Sequence, residues 1–159
     1  MAQAQMKHGV LVPEGCHLAH DTDGKLFRMG HDATAKVFAA FVLQKSSPVR
    51  KQLFKEAMCI RLQEKKGWLA VRTEQFPAGD LEGAAQASLA IACYYMELDE
   101  HDKGQKWLQR AMEEVPKDKE FMCAVIEHNM DELKKIKKIN KEINEECSRS
   151  STPVQSASP

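Results

Sequence analysis

From residue 32 onward the apolar residues recur at helical spacing, segment after segment, and the breaks between segments leave room only for turns. Asp32 is placed to cap a helix over Ala33 to Gln44, and Val37, Phe38, Ala40, Phe41 and Val42 cover more than half its circumference, predicting a largely buried element. Ser46-Ser47-Pro48 ends it. Val49 to Lys65 follows with a broad apolar face of Leu53, Phe54, Ala57, Met58, Ile60 and Leu62, and Gly67 reads as its stop. A short helix from Trp68 to Gln75, the turn Phe76-Pro77-Ala78-Gly79 and a cap at Asp80 lead into Leu81 to Leu98, where Ala84, Ala85, Ala87, Ala90 and Ala92 let neighbouring backbones approach. Asp102 is expected to cap a helix that buries Trp107, Leu108, Ala111, Met112 and Val115 before Pro116. The last helix, from about Asp118 to Glu146, sets Ile126, Met130, Leu133, Ile136, Ile139 and Ile143 at steps of three and four, a coiled-coil-like stripe.

The flanks read differently. Residues 1–31 form a small non-helical segment, an arm or a hairpin, with Pro13-Glu14-Gly15 and Asp21-Thr22-Asp23-Gly24 as turn signals. Residues 147–159 are rich in Ser, Thr and Pro without apolar periodicity and are expected to be a disordered tail, leaving 32–146 as the helical domain. At 159 residues and 43% hydrophobic, the chain has the size and composition of one globular domain that needs no metal or disulfide staple. Lys+Arg and Asp+Glu both number 23, which argues against nucleic-acid binding by the whole surface. No apolar run is long enough to cross a membrane. Five isolated cysteines suit free thiols in a reducing compartment, cytoplasmic or nuclear.

Between Ser88 and Pro116 the order Ile91-Ala92, Tyr95, Leu108, Ala111, Pro116 resembles the tetratricopeptide repeat, a helix–turn–helix unit of about 34 residues. The span 85–118 is covered, and Asp102 to Leu108 is also similar to the second helix of a Sel1-like repeat. Two positions depart from the tetratricopeptide pattern: Ser88 stands where a large apolar residue is usual, and Gly104 where Ala is usual. One repeat length upstream the match is weak, since Arg61 replaces the aromatic. The resemblance implies an all-α fold of antiparallel helix pairs with a groove that recognises a peptide or another protein, the long C-terminal helix acting as a solvating cap. The family's carboxylate-clamp variant needs an Asn near Cys93 with flanking basic residues, and these are absent.

Candidate chemistry is sparse. His8, Cys16, His17, His20 and His31 gather ligand-type residues near the N-terminus, without the paired spacing of a zinc site. No hydrolase, P-loop or dinucleotide motif is present. The expectation is therefore a protein that is not an enzyme and needs no cofactor or metal, a scaffold or adaptor that binds a protein or peptide partner. Arg61, Tyr94, Tyr95 and Glu97 are the groove residues, and Ile136, Ile139 and Ile143 form a seam for partner docking or a homodimer through the C-terminal helix. A small helical chaperone or assembly factor is the alternative, and a metal protein or enzyme using the His/Cys cluster is the second. Lys134, Lys135, Lys137, Lys138 and Lys141 read as a solvated face beside the seam, and Thr152-Pro153 has the form of a proline-directed phosphorylation site.

Overall fold

The computed structural model describes residues 4–7, 10–13 and 20–151. In them an antiparallel hairpin, β1 (Ala4–Lys7) and β2 (Val10–Pro13), precedes five helices: α1 (His20–Phe41), α2 (Pro48–Ala70), α3 (Leu81–Glu97), α4 (His101–Glu114) and α5 (Glu120–Ser150). Each helix packs antiparallel on its neighbour in sequence, α1 on α2, α2 on α3, α3 on α4 and α4 on α5. The body is all-α with a long last helix, as the periodicity predicts.

Helix boundaries differ from the expected ones where glycine misleads. α1 begins at His20, so Asp32 lies inside it and Asp21 to Gly24, read above as a turn, form part of its N-terminal portion. The inward stripe is Leu26, Met29, Ala33, Val37 and Ala40, at steps of three and four, with Gly24 and Gly30 interrupting its visible pattern. Phe38, Phe41 and Val42, expected inside, are 67%, 51% and 84% exposed, because only one face of α1 has a neighbour.

Ser47 and Pro48 open α2 rather than close α1: the Ser47 hydroxyl accepts from the Arg50 backbone N–H at 3.4 Å, and Pro48 takes the first helical position. α2 then runs straight through Gly67 to Ala70, so the separate helix expected over Trp68–Gln75 does not exist. At Gly67 α1 comes close, and a Cβ there would collide with Leu26 Cδ2. Gly79, at φ 90°, turns the chain into α3, whose N-cap Asp80 accepts from Gly83 N–H at 2.9 Å as expected.

Four connected clusters make the core. Ala33, Val37, Phe54, Ile91 and Tyr94 join α1, α2 and α3; Leu26, Trp68, Val71 and Ala84 close one end. Ala85, Ala111, Val115, Met122 and Ile126 join α3 and α4 to the start of α5, and Ala92, Leu108 and Leu133 continue that contact. The alanines at 84, 85, 87 and 92 are wholly buried, so the small-residue reading of α3 holds. α4 starts at His101 after Glu100, which makes no side-chain cap, and Asp102 sits in its first turn instead of capping it. α5 spans Glu120–Ser150, beyond the expected end at Glu146; Thr152 and Pro153 lie outside the described residues.

Candidate interaction surface

The junction of α1, α2 and α3 holds a polar network inside an otherwise apolar body. Arg61 donates from Nε to the Tyr94 hydroxyl at 3.1 Å, from one terminal nitrogen to Glu64 at 2.8 Å and from the other to Thr34 Oγ1 at 3.1 Å. Glu64 is buried and also accepts from the Trp68 indole at 3.3 Å. α1 clears space for this with Gly30, where a Cβ would stand 3.1 Å from an Arg61 terminal nitrogen and 3.2 Å from Glu64 Oε1. Arg61 and Tyr94, two of the groove residues named from sequence, are thus bonded to each other across the α2–α3 interface.

One end of the same interface is closed by Arg50, which is buried, stacks 4.9 Å over the Phe54 ring and reaches the Glu97 backbone carbonyl at 3.3 Å and its carboxylate at 3.4 Å. Glu97 keeps its other side in solvent. Tyr95 is half-buried against the first core cluster, with the Lys103 ammonium 5.6 Å from its ring centroid. A second polar bridge ties α2, α3 and α4: Ser88 donates to Glu114 at 2.9 Å, and Lys65 pairs with the other oxygen of that carboxylate. Ser88, wholly buried where the repeat pattern calls for a large apolar side chain, is accounted for by this bond.

On α3 the exposed side chains are Gln86 and Glu97, and half-buried Ala90 and Cys93 lie between them at steps of four, three and four, a single line along the helix. α5 borders this line through Asn129, whose Oδ1 is 3.9 Å from the Cys93 sulfur and whose Nδ2 donates to the Val125 carbonyl at 2.8 Å. Burial, and then the nearby Glu97 carboxylate, push the Cys93 thiol above its ordinary range, so it stays protonated and weakly nucleophilic at neutral pH. Sequence reasoning missed Gln86, Ala90, Cys93 and Asn129. The stepwise recurrence of small or polar residues through the alanine-rich helix was the available signal.

Ile136 is half-buried, whereas Ile139 and Ile143 are 53% and 49% exposed near the free end of α5. These three lie on α5, apart from the Arg61–Tyr94 junction. The lysines beside them each meet a carboxylate: Lys134 with Asp131, Lys135 with Glu132, Lys137 with Asp102, Lys138 with Glu142 and Lys141 with Glu145. Of the N-terminal His/Cys set, His8, Cys16 and His17 lie outside the described residues, and His31 is exposed on α1. Among the described residues no group of three or more His, Cys, Asp or Glu converges as metal ligands, and no helix is long and apolar enough to cross a membrane. No protein-family model, curated protein or solved structure matches the chain.

Proposed function

We propose that this protein is a non-enzymatic interaction module of tetratricopeptide-like build, in which the pairs α1/α2 and α3/α4 and the flanking α5 present a surface for an extended peptide or a partner protein. The observation that carries the reading is the partly exposed line Gln86–Ala90–Cys93–Glu97 on α3, bordered by Asn129 of α5. A surface of small side chains between two polar ones admits another backbone closely and offers amide and carboxylate groups to orient it. The Arg61–Tyr94 and Lys65–Glu114–Ser88 bridges beneath it fix the helices, so the surface is preorganised and association costs less ordering entropy.

The repeat reading draws further support from Gly104, which sits at the close approach of α4 to α3. A Cβ there would stand 3.3 Å from the Ala92 carbonyl, the relation a small residue serves in a packed helix pair. A photoactivatable residue placed at Gln86 or Glu97 should capture a cellular protein that the same residue at Gln109, exposed on α4, does not. Equal capture at all three positions, or none, would remove the α3 surface as the binding site.

A further inference from the structure

α2 and α4 run in the same direction, each antiparallel to α3, and α3 rests on both: Tyr94 meets Arg61 of α2 and Ser88 meets Glu114 of α4, while the line Gln86–Ala90–Cys93–Glu97 turns away from them. Trp107 joins their outer edges. The Lys65 ammonium of α2, paired with Glu114, lies 5.1 Å from the centre of its ring, and Arg110 stacks on the same ring at 4.7 Å. Along α2, Lys51, Lys55, Leu62 and Lys66 recur at steps of four, seven and four, a single line beside Lys65. Along α4, Lys103, Lys106 and Arg110 recur at steps of three and four, a second line beside Trp107. The two lines flank one furrow, about 22 Å long from Lys51 to Lys66.

Charge in this furrow has one sign. Lys51, Lys55, Lys66, Lys106 and Arg110 are exposed and pair with no carboxylate among the described residues. The acids nearby are engaged: Glu114 by Lys65 and Ser88, Glu100 by Lys103, and Glu113 by Gln109. Asp99 and Asp102 line a separate cleft with Lys137 of α5, and Glu56, on the α1 side of α2, is taken by Lys36. A chain of zero net charge thus gathers an excess of cations on one face. The apolar groups there are half-buried Trp107 and Leu62, 36% exposed, too little to enter a bilayer. The free groups of both lines are donors alone. A peptide, even an acidic one, brings backbone N–H groups that need acceptors, whereas a phosphodiester backbone is acceptor throughout. We propose that a single strand of nucleic acid lies along the α2/α4 furrow, held through its phosphates by Lys51, Lys55, Lys66, Lys106 and Arg110. With Arg110 held flat on Trp107, its remaining N–H groups are set to bond one phosphate in fixed geometry, and the lysines act as point charges along the strand. The furrow is independent of the α3 surface, which faces the other way.

Fluorescence anisotropy of a labelled oligouridine, titrated with the full chain, should show binding that weakens about 100-fold between about 50 and 200 mM salt, the slope expected when about five cations displace counterions from single-stranded phosphates. Lys51→Gln, Lys55→Gln, Lys66→Gln and Lys106→Gln together should weaken binding at the lower salt by more than about tenfold. The thermal melt should not move, since all four lysines are exposed and make no ion pair. Lys134→Gln, Lys135→Gln, Lys138→Gln and Lys141→Gln remove the same charge from α5 and should change the affinity by less than about twofold. Polyglutamate and phosphatidylserine vesicles serve as competing polyanions, and each should bind more weakly than the strand. No binding at the lower salt, an affinity indifferent to salt, equal losses in the two quadruple variants, or polyglutamate or vesicles held as tightly as oligouridine would each overturn the proposal.

Discussion

Arg61 Nε donates to the hydroxyl of Tyr94 at 3.1 Å across 33 positions of sequence. The same guanidinium holds Glu64 and Thr34, so a single side chain ties three helices together. Removing it leaves the Glu64 carboxylate, 6% exposed, with the Trp68 indole as its hydrogen-bond partner among the described residues. Arg61→Met should therefore cost about 3 kcal/mol in urea unfolding, the penalty of a stranded buried charge. Tyr94→Phe, which deletes one neutral partner, should cost about 1 kcal/mol. An Arg61→Met variant as stable as the parent would show that the network does not hold the helices.

Gly67 lies in the last turn of α2, where alanine would raise helix propensity by at most about 1 kcal/mol. Its close neighbour is the Leu26 side chain, Cδ2 first and then Cδ1 and Cγ, and Leu26 is itself buried in the cluster with Trp68 and Val71. Gly67→Ala should accordingly destabilise by about 1–3 kcal/mol through overpacking, and adding Leu26→Ala should recover part of the loss as the two changes relieve each other. A simple gain in melting temperature from Gly67→Ala would mean that α1 is free to slide away.

Both α1 and Gly67 show where the fold was legible and where it was not. Asp80, the alanines of α3, Pro116 and the stripe of α5 act through local chemistry, and each sits where the sequence places it. Gly24 and Gly67 carry local signals for a turn and a stop that tertiary packing overrides, and Gly67, like Gly30, marks a place where neighbouring helices approach. The Arg61–Tyr94 bond has no local signature at all: an arginine and a tyrosine on amphipathic helices read equally well as ligand contacts or as interhelical partners until the register of α2 against α3 is known. The α3 line was hidden by the same ambiguity, since alanine and cysteine serve a core and a close-approach surface alike.

Gly104 offers the opposite outcome to Gly67. A Cβ there would meet Met96 Cγ at 3.0 Å and the Ala92 carbonyl at 3.3 Å. The tighter of these neighbours belongs to a flexible, half-buried side chain that can swing aside. Gly104→Ala should then leave stability unchanged or raise it by about 0.5 kcal/mol, most of the propensity gain being offset by the contact. A loss above about 1 kcal/mol would place α4 and α3 too close for any side chain, and would set this pair apart from helix pairs that carry alanine at the crossing.

Acid should loosen the body at two separate places in one pH window. The Lys137 ammonium, hydrogen-bonded to Asp102, holds that carboxyl below its ordinary value of 3.8, and Lys36, bonded to Glu56 at 2.7 Å, holds Glu56 below 4.5. A carboxyl with a depressed folded pKa contributes its stability above the unfolded value, and that contribution is lost as pH falls through the folded one, so the losses set in below about pH 4. Both groups are exposed and the global effect is small, but the readout is local. Amide protection around Lys137 should fall with acid in the parent and lose its pH step in Asp102→Asn. Glu56→Gln should instead remove the step at the α1–α2 contact and leave α5 untouched. Because every side chain of α5 from Lys138 to Ser150 is exposed, the Asp102–Lys137 pair marks the place where α5 departs from α4, and a pH step there that persists in Asp102→Asn would mean that another group anchors α5 at this point.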